Sequence, residues 1–413
     1  MRAAMILERA GIPVSLFEAR KRLGGRIQTI RHGNLSYDAG GEWLDADHGR
    51  ALNLLQELGI EPDRASSWPG RVLFDGQECT ADSLWNEAFE DELEVEGAIK
   101  EMCRGLDPVP WKNLHRRDWD LRNLADFLRE NTSSKRGLWW VWANYRSDEG
   151  DDPEQVSLLG WLCTYLYYLD REEHSMSAYR VPGGMSTMIE GMADRLVAKP
   201  HLGTVLHRVR QDSECVILEF DTHEVEVDRV VLTLPPRALE KVVFEPALSS
   251  AKRCAIEACR MSRAIKIVWQ FDCAWWRDSG WTGSLYYDGP LQQLWDASRG
   301  MAPALAAYVC GEEALSWTRL ADPVGEALGE LTRIFPEAAR HFVRGWIHDW
   351  ISDPFCHGAF SSTAPGYVLE YMQFIGGAEG RIHFAGEHTG QRLGFIEGAI
   401  ESGERVAEEV LRA

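Results

Sequence analysis

"MRAAMILERAGIPVSLFEARKRLGGR", residues 1–26, decides how the rest of the chain is read. Ala3, Leu7 and Ala10 recur at helical spacing, Gly11 stops that helix, and "IPVSLFE" follows as an apolar run ending on Glu18. A helix followed by a buried strand with an acid at its tip is the second half of a βαβ unit. In a dinucleotide-binding unit a first strand and a Gly-rich turn precede the helix, and the strand-end acid, about 20 residues after the glycines, holds a ribose hydroxyl. Glu18 has that position, yet only seventeen residues stand before it. The first strand and its GxGxxG turn are therefore expected to be missing.

The chain has 413 residues, enough for a large core in two or three lobes, and 45% apolar with 26% charged content marks a globular protein. A formal net charge of −20 argues against nucleic acid or an anionic membrane surface as the main partner. Nine scattered cysteines, none in a CxxC pair, argue against a disulfide framework or a zinc site and for a reducing compartment. The longest apolar helical run, "SLLGWLCTYLYYL" at 157–169, is shorter than the roughly 20 residues that span a bilayer and reads as a core helix. No signal peptide is visible, and a cytoplasmic setting is expected.

From 66 to 178 the sequence is helix-rich and dense in Trp, with an acidic stretch, "SDEGDDPEQ" at 147–155, read as a solvated loop. "SECVILEF", "HEVEVD" and "RVVLTLPP" give three β-type runs, the last stopped by Pro235 and Pro236, and "AIKIVWQF" and "ALAAYVCG" give two more. The end of the chain reads as a short strand, a Gly-containing loop and a long amphipathic helix. Nucleotide-binding pieces thus sit at both ends and in the middle, which predicts an α/β fold with a discontinuous, Rossmann-like cofactor domain interleaved with an α+β substrate domain. The expected boundaries assign 1–66, 179–240 and 350–413 to the cofactor domain, and 67–178 and 241–349 to the substrate domain.

Three double-glycine turns carry the chemistry. In "LFEARKRLGGRIQT" an acid, then basic residues, then Gly24 and Gly25 suit a ribose diol and a diphosphate approached by backbone, with Arg26 adding charge-assisted hydrogen bonds. "YDAGGEWLD" at 37–45 would let backbone lie against a flat ring, and "AYRVPGGMSTMIEGMADRL" opens a helix with Pro-Gly-Gly. A plain turn is the alternative for each. Lys266 stands inside an apolar strand, an expensive place for an ammonium without a partner, unless it snorkels from a sheet edge. The start of the closing helix, near Ile396, carries a partial positive charge of about half a unit, favourable to an anion.

With these stretches in view, the chain resembles the flavin-containing amine oxidase family, which includes monoamine oxidases, polyamine oxidases and L-amino-acid oxidases. "AGIPVSLFEARKRLGGRIQT", "DAGGEWLD", "YRVPGGMSTM", "VVLTLPPRAL", "AIKIVWQFDCAWW", "DWISDPFCHGAFSSTAPG" and "RIHFAGEHTGQRLGFIEGAIESGERVAEEVL" run in family order across the whole chain. The resemblance implies Glu18 on the adenosine ribose, with Arg20, Gly25 and Arg26 along the diphosphate and the approach to the flavin. It implies Gly41, Glu42 and Trp43 along the isoalloxazine, Leu206 with its backbone at adenine, and Glu387 at the ribityl or phosphate end. It also implies Ile396 presenting its N–H to flavin N1 and the C2 carbonyl, and Trp350 against the ring.

For catalysis the resemblance implies Lys266 reaching flavin N5 through a water, and Phe360 and Phe395 as an aromatic cage that holds an uncharged amine. Core packing is the alternative for both rings, and a structural role is the alternative for Trp350. Ala359 stands where covalently flavinylated relatives place a cysteine, so FAD is expected to be held non-covalently. Arg180 is read either as a partner for a substrate carboxylate or as structural glue. The implied reaction is hydride transfer from an amine or L-amino acid to FAD, giving an imine and hydrogen peroxide. The partners implied are that small substrate and molecular oxygen, with a homodimer also considered. Two alternatives are a flavin-free relative acting as a binding protein and a desaturase or monooxygenase on the same scaffold. Loss of two or three diphosphate hydrogen bonds would weaken FAD binding by roughly 10² to 10⁶-fold.

Overall fold

Helix Arg2–Arg9 forms where the spacing predicts it and buries Ala3, Ala4, Met5 and Leu7. It packs on the closing helix Ile396–Arg412, where Gly403 permits the approach: a Cβ there would lie 3.2 Å from Arg2 Cβ. The computed structural model describes residues 1–65, 70–79, 81–169, 176–278 and 280–413. The boundary expected at 66 and 67 lies outside them.

"IPVSLFE" is less of a strand than its composition suggests. Only Phe17–Glu18 has ladder geometry, parallel to His201–Leu202. A second parallel pair joins Val230–Leu232 to Ile382–Phe384. Pro13 offers no N–H, and residues 12–18 and 230–235 both line the central cavity.

Two antiparallel-rich sheets complete the framework. Val216–Phe220 and Glu224–Val227 form the hairpin that the polar turn between them predicts, extended by Leu206–Gln211 and Val243–Glu245. The larger sheet has seven strands in the order Phe342–Asp349, Ala264–Phe271, Ala304–Cys310, Gln293–Asp296, Leu285–Tyr287, Arg71–Phe74 and Gln77–Cys79. The stretch expected to be helical thus also supplies a hairpin to one sheet edge.

Strand Ala264–Phe271 is buried along its whole length rather than on alternate positions. Ile265, Ile267, Trp269 and Phe271 face a core with Trp275, Trp276, Trp281 and Trp317, while Val268 packs with Leu35, Tyr37 and Trp295 on the other face. Each such aromatic takes about 150–250 Å² out of water, so most tryptophans here are structural. Helix Leu158–Tyr165 is the core helix expected from "SLLGWLCTYLYYL", capped by Ser157 Oγ accepting from the Gly160 N–H at 3.2 Å. Among the described residues no helix is long and apolar enough to cross a membrane.

The acidic stretch at 147–155 is not the solvated loop its charge suggests. Ser147, Asp148 and Glu149 are the last turn of helix Lys135–Glu149, and Gly150 closes it with φ +64°. Asp151 is buried because Arg263 reaches it, with Nε 3.0 Å from Oδ1 and 3.1 Å from Oδ2. A buried, charge-assisted pair holds the segment against the protein.

Candidate active site

One continuous cavity of about 1880 Å³ runs from the first helix to the helical lobe. That exceeds the few hundred to about 1,000 Å³ of a typical small-ligand pocket, and leaves room for a long cofactor with a substrate beyond it. Fourteen residues singled out in the sequence line it: Glu18, Arg20, Gly25, Arg26, Gly41, Glu42, Trp43, Leu206, Lys266, Trp350, Phe360, Glu387, Phe395 and Ile396.

At the first end, Glu18 stands at the strand tip and its Oε1 accepts the Arg20 N–H at 2.8 Å. Arg20 is ion-paired with Asp353, and its guanidinium lies 4.9 Å from the Phe355 ring centroid. Gly24 and Gly25 both have positive φ, and a Cβ on Gly25 would meet nothing within 4 Å. That open backbone fits a diphosphate. Leu206 begins its strand on the same wall.

Arg26 and Glu387 tie the middle of the cavity together. Arg26 Nη1 lies 2.6 Å from Glu387 Oε1 and 3.1 Å from the Ala359 carbonyl. Glu387 also accepts from the Ser361 N–H at 3.1 Å, Ser361 Oγ at 2.5 Å and the Gly394 N–H at 2.7 Å. Burial works to raise its pKa, but Arg26, His388 and Ser361 outweigh it and hold the carboxyl down at about 2. Its oxygens already order three segments, so any role toward a cofactor shares them.

The ring region is built from close backbone. A Cβ on Gly40 would fall 1.9 Å from the Arg26 carbonyl and 3.1 Å from Trp350 Cζ2, and one on Gly41 would lie 3.5 Å from Ile396 Cδ1. Trp350 donates its Nε1–H to the Ala39 carbonyl at 2.9 Å, which fixes its indole against this segment. The closing helix begins at Ile396 with no side-chain cap from Phe395. Glu397 cannot supply one: its carboxylate accepts from the Arg50 and Ala51 N–H groups at 3.1 and 2.9 Å. The helix start, with Phe395 and Ile396 on the cavity wall, therefore carries N–H groups without a side-chain cap and their partial positive charge. Phe360 and Phe395 stand beside it, with the Phe395 ring centroid 5.3 Å from His48 in an edge contact.

Lys266 is flanked by strands on both sides, opposite Tyr308 and His348, so it cannot snorkel from an edge. Its Nζ donates to Glu42 Oε2 at 2.8 Å, the Gly40 carbonyl at 2.8 Å and the Asp38 carbonyl at 3.2 Å. Burial pushes the pKa of the ammonium down to about 7, the nearby Asp38 charge works to keep the proton, and Arg180 works against it. Glu42 also accepts from Trp295 Nε1 at 3.2 Å and pairs with Arg180. Arg180 donates to the Asp296 carbonyl at 3.0 Å and lies 4.4 Å over the Trp43 ring. It is buried and is not among the residues lining the cavity.

The far end of the cavity was not legible from motifs. Helix Lys135–Glu149 presents Val141, Tyr145 and Glu149, four residues apart, with Asn144 and Asp148, and Glu92 and Tyr165 face the same space. That helical spacing was the available signal, hidden by reading 147–155 as a loop. Glu92 accepts from Trp140 Nε1 at 3.1 Å, and burial pushes it up to about 6. Glu149 is pushed up to about 8 by burial, with Asp148 adding to the shift.

Residues 1–411 match the family model described as flavin containing amine oxidoreductase. The chain is 25% identical to "Amine oxidase [flavin-containing] A" of Sus scrofa and 26% identical to "Amine oxidase [flavin-containing] B" of Bos taurus. All of this chain is aligned in each case, with 82% and 84% of those relatives. The cyclohexylamine oxidase of Brevibacterium oxydans IH-35A superposes with a TM-score of 0.89 at 22% identity, over 100% of this chain and 97% of that one. A putrescine oxidase superposes at 0.88 and 22%, over 100% and 96%. The fold is thus a flavin-binding domain joined to a substrate domain, and the chain belongs to the flavin-containing amine oxidoreductase family.

Proposed function

We propose that the protein is an FAD-dependent amine oxidase that holds its cofactor non-covalently and takes amines rather than amino acids. One observation carries this reading. Lys266, Gly40 and Gly41, the uncapped start at Ile396, and Phe360 and Phe395 succeed one another along one stretch of cavity wall, linked by the contacts described above.

When bound, FAD accepts a hydride equivalent from the amine α-carbon and passes two electrons to oxygen, leaving an imine and hydrogen peroxide. The chain's own part is binding and orientation. The glycines let backbone approach a flat ring, and the helix start favours negative charge beside it. The two Phe rings offer an apolar slot that favours the neutral amine, the form with a free lone pair, over the ammonium. Lys266 keeps a proton at Nζ beside the slot, shared with Glu42. Arg180, spent on Glu42 and Asp296, is withdrawn from any substrate carboxylate, which supports amines over amino acids. Ala359, next to Phe360, has no sulfur to bond a flavin.

Reconstitution with excess FAD should give a yellow protein whose flavin is bleached anaerobically by an alkylamine, and which releases peroxide in air. Acid precipitation should leave all flavin in the supernatant. A folded, FAD-saturated protein that no amine reduces would overturn the oxidase reading, and flavin in the acid pellet would overturn non-covalent binding.

A further inference from the structure

Away from the cavity, Asp272, Cys273 and His341 bring three unlike donors to one place. Asp272 and Cys273 directly follow strand Ala264–Phe271, and His341 directly precedes strand Phe342–Asp349, its neighbour in the seven-stranded sheet. The two strands pair Phe271 with Phe342 after a register shift at Gln270, and the Asp272 N–H donates to the His341 carbonyl at 3.0 Å. Backbone therefore holds the three residues together, and the irregularity re-aims their side chains. Cys273 packs partly against the tryptophan-rich core, whereas the Asp272 side chain is 62% and that of His341 25% exposed. The cluster is anchored at its thiol and open to solvent at its carboxylate, and none of the three lines the cavity.

Cys273 Sγ lies 3.2 Å and Asp272 Oδ1 2.8 Å from the same atom, His341 Nδ1. A nucleophilic Cys–His–Asp relay needs the imidazole to serve its two partners through opposite ring nitrogens. Two partners on one nitrogen is instead the converging geometry of a ligand set, and the three donor atoms all lie within 4.8 Å of one another. A tetrahedral zinc ion about 2.3 Å from sulfur and about 2.0–2.2 Å from nitrogen and oxygen sets adjacent donors roughly 3.3–3.6 Å apart. Opening the cluster by about half an ångström admits it. Thiolate with imidazole and carboxylate suits zinc better than calcium or magnesium, which take oxygen ligands. One cysteine among unlike donors leaves no CxxC signature, which is why the sequence pattern argued against zinc.

We propose that Asp272, Cys273 and His341 bind one zinc ion at the protein surface, with water in the fourth position, clamping the end of the Lys266 strand to its neighbour. Binding exchanges the thiol proton for the metal and releases that proton to solvent. The site does not depend on the oxidase reading. Its test is titration of the FAD-loaded, chelator-treated protein with Zn²⁺ against a chromophoric competitor, followed by X-ray absorption at the zinc edge. One equivalent should bind with a Kd of about 1 µM or below. The fine structure should show one sulfur at about 2.3 Å and lighter atoms at about 2.0–2.2 Å. Cys273→Ser and His341→Ala each remove one donor and should weaken binding by roughly 100-fold. Both positions stand outside the cavity, so an unchanged flavin spectrum reports that each variant is folded. No stoichiometric binding by the wild type, a coordination shell without sulfur, or binding that survives in either variant would overturn the proposal.

Discussion

Lys266 Nζ and Glu42 Oε2 meet at 2.8 Å on the cavity wall, and both residues are buried. Glu42 in turn pairs with Arg180, so two cations share one carboxylate, and the buried Asp38 adds a second negative charge nearby. A buried pair of this kind contributes little net stability, because the desolvation of both ions offsets their attraction. Removing one partner alone is what costs. The arrangement therefore makes sense as a device that fixes the lysine at one place and sets its charge.

The first consequence concerns the two half-reactions. Lys266→Met removes the ammonium from the oxygen-facing part of the proposed site and leaves the Phe slot in place. Reoxidation of the reduced flavin is expected to slow by roughly tenfold or more, while reduction by amine changes by less than about threefold. Stopped-flow traces of the two steps decide it, and equal slowing of both would take Lys266 out of the oxygen reaction.

The second concerns Glu42. Glu42→Gln takes away the carboxylate that favours the protonated lysine, so the pH at which reoxidation loses its dependence on Lys266 should fall by about one unit or more. No shift would show that Asp38, not Glu42, holds the proton on the lysine. The measurement is reoxidation rate against pH in wild type and E42Q, with K266M as the flat reference.

Glu387 gives a stability prediction with a definite sign. Its folded-state pKa is about 2, below its ordinary 4.5, so the stabilisation is fully present above 4.5 and is lost as pH falls from there toward 2. A shift of that size corresponds to about 3 kcal/mol. Glu387→Gln should therefore unfold at lower temperature than wild type at pH 7, and the gap should narrow by pH 3. A gap that stays constant with pH would assign the loss to packing instead of charge.

Much of the cavity lining was legible in the sequence because glycine turns and strand-end acids are constrained by backbone geometry, which a linear pattern records. Gly25, Gly41 and the helix start at Ile396 all stand on the cavity as their spacing implies. The charged network was not legible. That Glu42 would turn from the ring position toward Lys266 and Arg180 depends on a strand 224 residues away. Glu149 was missed for a related reason: a run of acids reads as solvated surface until Arg263 and Phe360, distant in sequence, bury both ends of it. Strand "IPVSLFE" was overread because apolar content alone cannot supply the neighbour a ladder needs.

The last prediction separates cofactor binding from substrate positioning. Gly394 has φ +79°, and a Cβ there would lie 2.9 Å from Phe360 Cδ2, so Gly394→Ala must displace the ring that forms one side of the slot. Gly25 also has positive φ, but its Cβ would enter open space. Each alanine carries a backbone cost of about 1 kcal/mol. Only the first moves Phe360, and misplacement of about 1 Å can cost 10²-fold in rate. G394A is thus expected to keep its flavin spectrum and lose about 10²-fold in limiting reduction rate. G25A is expected to weaken FAD retention on dilution while reducing at a near-normal rate once saturated. If G394A reduces as fast as wild type, Phe360 is core packing and the aromatic slot must be sought elsewhere on the cavity wall.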